Sequence, residues 1–499
     1  MNIKRAKEEI MNTVKAYLSK DENGNYKISE IRQRPILLMG PPGIGKTQIM
    51  EQVAAECGIA LVSYTITHHT RQSAVGLPFI EKKTYGKKEY SVTDYSMSEI
   101  IASVYDKQER TGLTQGILFI DEINCVSETL APTMLQFLQY KTFGNQKVPE
   151  GWIIIAAGNP PEYNKSVREF DTVTLDRVRK IEIEPDFEVF KEYAYKQEIH
   201  PCILHYLDIR RENFYRFETT PDGIFFATAR GWEDLSEMLL VCEELHMPID
   251  AEFVYEYIQH DRIAKDFSNY YELYNKYKKD YKIEEIVHGS YSTKLIEELK
   301  VAPFDERLNL TSLLLGRLGR SFSETQTLEK YTEVLYSFLK EFLTQVTLNE
   351  TRPDILLKEM IEKDEKELDA LKQEGLITRK EAAIKLKSLL SLKNYQEVLR
   401  TNKEDSIDAK DIVKELFAVE KENLASKIQT TSAELGNAFY FMEKAFGEGQ
   451  EMVIFVTELS VNYYSAAFIA ANGSSKFYEY NKNLLFGERR EEIIRNIEK

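Results

Sequence analysis

Eight residues, "GPPGIGKT" (Gly40 to Thr47), limit what this chain can fold into more than any other stretch. They follow the apolar run "PILLM" (35–39) and open a helical segment running from Thr47 to about Cys57. A short buried strand that turns through glycines into a helix is the first half of a crossover unit. Its return strand then lies parallel to it, in a sheet covered by helices. The glycines let the backbone wrap closely around an anion, while successive N–H groups and the helix N-terminus supply positive potential. Gly40, Pro41, Pro42, Gly43, Ile44, Gly45, Lys46, Thr47 and Gln48 are therefore the candidate phosphate-binding residues.

Two further strand ends carry the chemistry such a loop needs. Lys46 would reach the β- and γ-phosphates of ATP, and the Thr47 hydroxyl would ligate Mg²⁺. "ILFIDEIN" (117–124) is an apolar strand ending in two carboxylates, at the edge where open α/β sheets bind ligands. Asp121 is expected to hold Mg²⁺ and Glu122 to orient and polarise the attacking water; solvated acids at a helix start are the plainer alternative. "IIIAAGNPP" (153–161) ends another strand in Asn159, whose amide could position the same water or touch the γ-phosphate.

The remaining strand signals are "IALVSYTI" (59–66) and the alternating "VRKIEIE" (178–184), which complete an α/β core with a mostly parallel five-stranded sheet over 31–185. Two β-hairpins interrupt it, one near 78–92 around Tyr85-Gly86 and one near 140–148 around Gly144-Asn145. Residues 1–30 read as an N-terminal amphipathic helix, its charges placed where a signal peptide needs an apolar core. Beyond Pro185 helical periodicity dominates: a helical lid over 186–265, then an all-α region over 266–499. Within the latter, 354–400 reads as a helical hairpin packed in the same molecule, with Gly375 ending its first helix and "TRKE" (378–381) capping its second.

Composition narrows the function. A formal charge of -16 opposes a surface built for nucleic acid or acidic lipid, since phosphate binding rests on a cationic face. The four cysteines, Cys57, Cys125, Cys202 and Cys242, form no C-x-x-C pair and read as reduced thiols of a cytoplasmic protein. No apolar run approaches the ~20 residues that span a bilayer. The pair His68 and His69 lacks a third ligand at metal-site spacing, and the tyrosines Tyr271, Tyr274, Tyr277 and Tyr281 sit at helical spacing that suits packing.

Together the three strand-end segments resemble the AAA+ ATPases, and most closely the MoxR clade, over roughly residues 30–265. "DEINCVSETLAPTMLQFLQ" (121–139) looks like that clade's Walker B segment and following helix, and the two hairpins match its insertions. The resemblance implies sensor 1 at Asn159. It also implies an arginine finger at Arg177 in "LDRV" (175–178), where the family has "LDRF", acting on the ATP of the neighbouring subunit. An arginine suits that task because its fixed charge and planar donors stabilise the transferring phosphoryl group. An ion pair of Arg177 with Asp176 or Asp171 is the structural alternative, and Arg179 is a rival finger. "TARGWEDLSEML" (228–239), capped by Thr228, resembles sensor 2 and puts Arg230 near the γ-phosphate, with a solvent-facing arginine as the alternative.

What the resemblance implies overall is Mg²⁺-dependent ATP hydrolysis in a ring, expected to be a homohexamer, that remodels or matures a client protein. The client could carry a von Willebrand A-type domain. The alternatives are an ATP-gated scaffold or switch with slow hydrolysis, or a nucleic-acid motor, which the acidic balance disfavours; no membrane role is expected.

Overall fold

The computed structural model describes every residue except 69–73, 144–145, 164–166, 168–169, 222, 349–350, 403–405 and 483–499. The chain forms two compact units, Met1–Phe190 with Phe214–Trp232, and Lys191–Asn213 with Glu233–Lys499.

In the first unit the strands are β1 (Ile36–Met39), β2 (Ala60–Thr65), β3 (Pro78–Tyr85), β4 (Lys88–Tyr95), β5 (Gly116–Asp121), β6 (Thr142–Phe143), β7 (Gln146–Lys147), β8 (Trp152–Gly158), β9 (Arg179–Glu182), β10 (Arg216–Thr220) and β11 (Gly223–Ala227). Five of them make one sheet in the order β2-β5-β8-β1-β9, with every neighbouring pair parallel. Alternation along the strands builds two cores. Ile36, Leu38, Ile117, Phe119, Ile153 and Ile155 pack with Met50 and Val53 of the helix Lys46–Cys57 and with Ala6 and Ile10 of the helix Ile3–Leu18. Leu37, Leu118, Ile120 and Ile154 face the other way, onto Ile100 and Val104 of the helix Glu99–Thr111 and Met134 and Phe137 of Ala131–Tyr140. Each such side chain contributes about 1.5–3 kcal/mol by leaving water. This is a parallel sheet covered on both faces, with its strand C-termini free for ligand.

The helix Ile3–Leu18 begins at Asn2, whose side chain accepts from the Arg5 N–H at 3.0 Å. The first hairpin, β3 with β4, runs to Tyr95 and turns at Gly86 and Lys87, past the expected limit of 92. β6 and β7 pair at the second expected hairpin, whose turn residues Gly144 and Asn145 lie outside the described residues.

One expectation is corrected. The stretch 186–265, expected to be a helical lid, holds the antiparallel hairpin β10–β11, pairing Arg216–Thr220 with Gly223–Ala227. "RFETTPDGIFFA" (216–227) carries aromatic and β-branched residues on either side of Pro-Asp-Gly, a strand signal in the sequence that the surrounding helical periodicity overrode; Asp222 lies outside the described residues. The same stretch also divides between the two units, 214–232 clustering with the sheet and 191–213 and 233 onwards with the C-terminal helices.

In the second unit two long helices, Phe304–Leu348 and Ser406–Phe446, pack against each other. The expected helical hairpin is present as Pro353–Gln373 and Arg379–Asn402, its apolar face (Leu357, Ile361, Leu368, Leu392, Leu399) against Leu335, Leu339 and Phe342 of the first long helix. Thr378 and Glu381 cap the second arm reciprocally: the Thr378 N–H donates to Glu381 Oε2 at 3.1 Å and the Glu381 N–H to Thr378 Oγ1 at 3.2 Å. Tyr271, Tyr274 and Tyr281 are buried, as packing residues are. Among the described residues no single helix is long and apolar enough to cross a membrane. A bent pair, Gln450–Val461 and Tyr463–Asn472, meets that length and composition across an 86° break. Its Met452, Phe455, Val456, Phe468 and Ile469 are buried within the unit.

Candidate active site

The loop after β1 is shaped by Gly43 (φ +70°) and Gly45 (φ +88°), in the left-handed region that glycine adopts without steric cost. It delivers Lys46 to the first turn of the next helix, only 8% exposed. Its Nζ donates to the carbonyls of Gly40 (2.8 Å) and Pro41 (2.9 Å) and to Asn159 Oδ1 (2.8 Å). Burial pulls the ammonium down to about pKa 8, with Asp121 opposing the shift, Arg230 adding to it and Glu122 opposing it again.

Parallel register explains why distant segments meet here. Met39 stands beside Gly158, and Thr65 beside Asp121, so the loops after β1, β2, β5 and β8 leave the same sheet edge. Thr47 Oγ1 donates to Asp121 Oδ2 at 3.0 Å, and the Glu122 N–H to Asp121 Oδ1 at 2.9 Å. Glu122 itself has φ +56°, a left-handed conformation that costs a non-glycine residue roughly 1–2 kcal/mol and turns the chain sharply off the strand. Its Oε2 accepts from Thr67 Oγ1 at 3.1 Å. Asn124, 2% exposed, donates through Nδ2 to the Asn159 carbonyl at 2.7 Å and so ties the acidic turn to the end of β8.

The arginines separate by their partners. Arg177 ends the helix Thr172–Arg177, which Asp171 caps by accepting from the Thr174 N–H at 2.7 Å. Its exposed guanidinium donates to Gln139 Oε1 at 2.6 Å, a neutral partner. Arg179 binds Glu9 Oε2 at 2.6 Å and also Thr13, which anchors the N-terminal helix to β9. Arg230 lies against the loop: its N–H donates to the Gly43 carbonyl at 3.1 Å while its side chain is exposed. Thr228 caps the helix of Arg230 by accepting from the Gly231 N–H at 3.2 Å, and Tyr215 Oη donates to the Pro42 carbonyl at 2.8 Å.

The structure thus brings Lys46, Thr47, Asp121, Glu122 and Asn159 together, sets Arg230 beside the loop, and leaves Arg177 facing outward. A hydroxyl and a carboxylate meeting at 3.0 Å are the hard oxygen donors Mg²⁺ takes, so the residues fit that ion. Thr67, Asn124, Gln139 and Tyr215 also shape the site. Sequence spacing carried no signal for them, because each acts through a contact made by the fold. Among the described residues no group of three or more His, Cys, Asp or Glu could hold a metal; His69 and the His68 side chain lie outside the described residues. All four cysteines are free thiols.

Comparison with known proteins agrees with this geometry. Residues 36–180 match the model of the ATPase family associated with various cellular activities (AAA). That stretch is an AAA domain, which supports ATP binding and hydrolysis by this part of the chain. No curated protein sequence matches the chain. Among solved structures, a "putative ATPase" from Cytophaga hutchinsonii is similar at 14% identity over 38% of this chain, with a TM-score of 0.22. The match spans half the length of that protein.

Proposed function

We propose that the protein is a Mg²⁺-dependent, MoxR-like ATPase working as a ring, in which each subunit completes its neighbour's site and hydrolysis drives remodelling of a client protein. The observation that carries the reading is the convergence at one sheet edge of Lys46 on Asn159 (2.8 Å) and Thr47 on Asp121 (3.0 Å). Lys46 and the loop N–H groups bind the phosphates, and Thr47 and Asp121 are the residues to hold Mg²⁺, which when bound offsets charge on the transferring phosphoryl group. Glu122 orients the attacking water and accepts its proton, Asn159 fixes that water or the γ-phosphate, and Arg230 contacts the γ-phosphate. Arg177, outward-facing, is hydrogen-bonded to the uncharged Gln139 with Asp171 near enough to feel its charge, and offers that charge to a phosphate on an adjacent copy. A client with a von Willebrand A-type domain follows from the family resemblance.

Mixing tests the composite site. Arg177→Ala and Lys46→Ala are each expected to abolish turnover, and rings mixed from the two to recover a fraction of it. Mixed rings that stay inactive would sink the shared-site reading.

A second reading, an ATP-gated switch with slow hydrolysis, is favoured by the Thr67 hydroxyl held on the Glu122 carboxylate at 3.1 Å. Removing that donor by Thr67→Val is expected to raise basal turnover severalfold if the contact restrains Glu122. Unchanged turnover would leave this reading without its observation.

A further inference from the structure

We propose that the helical unit carries a second ligand site, separate from the nucleotide chemistry: a cavity that takes a small carboxylic acid with an apolar body of about eight carbons. The cavity measures about 290 Å³, and all the residues around it belong to that unit. At ~30 Å³ for each water-sized group, that is room for about ten non-hydrogen atoms. Its walls are apolar, built by Ile199, Leu204, Leu315, Phe322 and Leu459.

The rim decides the charge of the occupant. Three carboxylates reach it, and each is paired: Glu198 with Lys380 at 2.7 Å, Glu324 with Lys427 at 2.6 Å, and Glu458 at 2.7 Å with Lys191, which Asp208 shares at 2.8 Å. Donors, by contrast, are left over. Asn462 spends its Oδ1 on the N–H groups of Tyr464 (2.9 Å) and Ser465 (3.3 Å), which leaves its Nδ2 as the end that can serve a ligand. That Nδ2 lies 3.7 Å from where a β-carbon on Gly319 would stand. Next along the helix, the exposed Arg320 makes no hydrogen bond or close ion pair among the described residues, although its charge helps to hold the Glu198 carboxyl down, and Asn462 Nδ2 has no acceptor there. Burial holds His205, also in the wall, down at about pKa 3, so it adds no charge near neutral pH. An apolar chamber whose unpartnered polar groups are the Arg320 guanidinium, the Asn462 N–H₂ and the buried Nδ1 of the neutral His205 suits a head group that accepts hydrogen bonds. A carboxylate does so, and arginine binds it through two parallel hydrogen bonds.

Gly319 provides the control for space. Only Asn462 Nδ2 lies within 4 Å of a β-carbon there, so a larger side chain at this position grows into the chamber instead of into packed atoms.

The experiment is calorimetric titration of the full chain with straight-chain carboxylates from butyrate to dodecanoate, all below their micelle concentrations, alongside 1-octanol and octylammonium. Octanoate is expected to bind at least about tenfold more tightly than octanol, the usual gain from a hydrogen bond to a charged group, and octylammonium more weakly than either. Affinity should climb by about fourfold per methylene up to octanoate and stop climbing beyond decanoate, where the chamber is full. Arg320→Gln, a surface substitution, should bring octanoate down to the level of octanol without altering octanol. Gly319→Leu should abolish both while circular dichroism and melting stay those of the parent. The proposal is overturned if octanoate does not bind, if octylammonium binds best, if affinity keeps rising through dodecanoate, or if Arg320→Gln leaves octanoate untouched. The last outcome decides even where the Gly319 variant does not fold.

Discussion

Lys46 Nζ and Asn159 Oδ1 are hydrogen-bonded at 2.8 Å, so the lysine that would meet the phosphates is held by the residue that would sense them. The bond joins the first turn after β1 to the end of β8, and any anion that draws the ammonium towards itself must loosen it. Asn159→Ala removes this hold together with the amide's contact to water or phosphate. Turnover is expected to fall by about 10²–10³, as for loss of one well-placed polar group at a reacting centre. Nucleotide affinity should stay within a few-fold of the parent, because Lys46 and the loop remain. Steady-state kinetics with a separate titration of ATP checks the split; equal losses in both would assign Asn159 to binding alone.

The depressed Lys46 pKa gives a pH signature. The group's value is about 8 in the fold against the usual 10.5, so between those values the unfolded chain binds more protons than the folded one. The cost of burying this charge is therefore felt in full below pH 8 and relieved as pH rises from 8 to 10.5. Nucleotide binding runs the other way. It needs the ammonium, so ATP affinity should weaken as pH passes 8, with uptake of a proton on binding. Titrations in buffers of differing ionisation enthalpy would show that uptake at pH 9, and Lys46→Arg should lose it because a guanidinium stays charged.

How much of this was legible beforehand follows from which interactions are local. The phosphate loop, the acids ending β5 and Asn159 ending β8 were readable because strand, turn and helix signals lie within a few residues of each other. The parallel five-stranded sheet was legible too, but its order, β2-β5-β8-β1-β9, is not singled out by pairing direction and strand number. Arg177 was readable by resemblance, whereas its partner Gln139, thirty-eight positions away, was not, since nothing in a glutamine's neighbourhood announces a contact across a turn. The same holds for Thr67 on Glu122 and Tyr215 on the Pro42 carbonyl. The β10–β11 hairpin was missed for another reason: its turn signal was local and present, but it sat inside a long helical context that dominated the reading.

Stability of the helical unit should hinge on Lys191. Its side chain is 3% exposed, and its Nζ donates to both oxygens of Asp208 at 2.8 Å and to Glu458 at 2.7 Å. Burial raises the Asp208 carboxyl to about 6 even with the lysine beside it. Lys191→Met would leave two half-buried carboxylates facing each other without a cation, a defect of about 3–5 kcal/mol. Calorimetry should show the transition of the helical unit moving down by several degrees. If the transition stayed in place, the ion cluster would be contributing nothing beyond its own desolvation cost.

Gln139 makes the sharpest test of the outward-facing arginine, because charge and structure there predict opposite orders. Gln139 Oε1 accepts from Arg177 at 2.6 Å and orients the guanidinium without neutralising it. Gln139→Glu keeps the shape and strengthens the contact into an ion pair, while Gln139→Ala deletes it. If the contact were only structural, the glutamate variant would be the healthier of the two. If Arg177 must lend its charge to a neighbouring copy, the glutamate competes with the phosphate for it, and turnover should fall further in Gln139→Glu than in Gln139→Ala. An alanine variant that merely loosens the arginine should lose about tenfold or less, and the glutamate variant clearly more, with ATP affinity per site unchanged in both. Turnover measured across this set of variants, at a fixed assembled concentration, separates the cases. Parental turnover in Gln139→Glu would show that the charge of Arg177 is not used in the reaction.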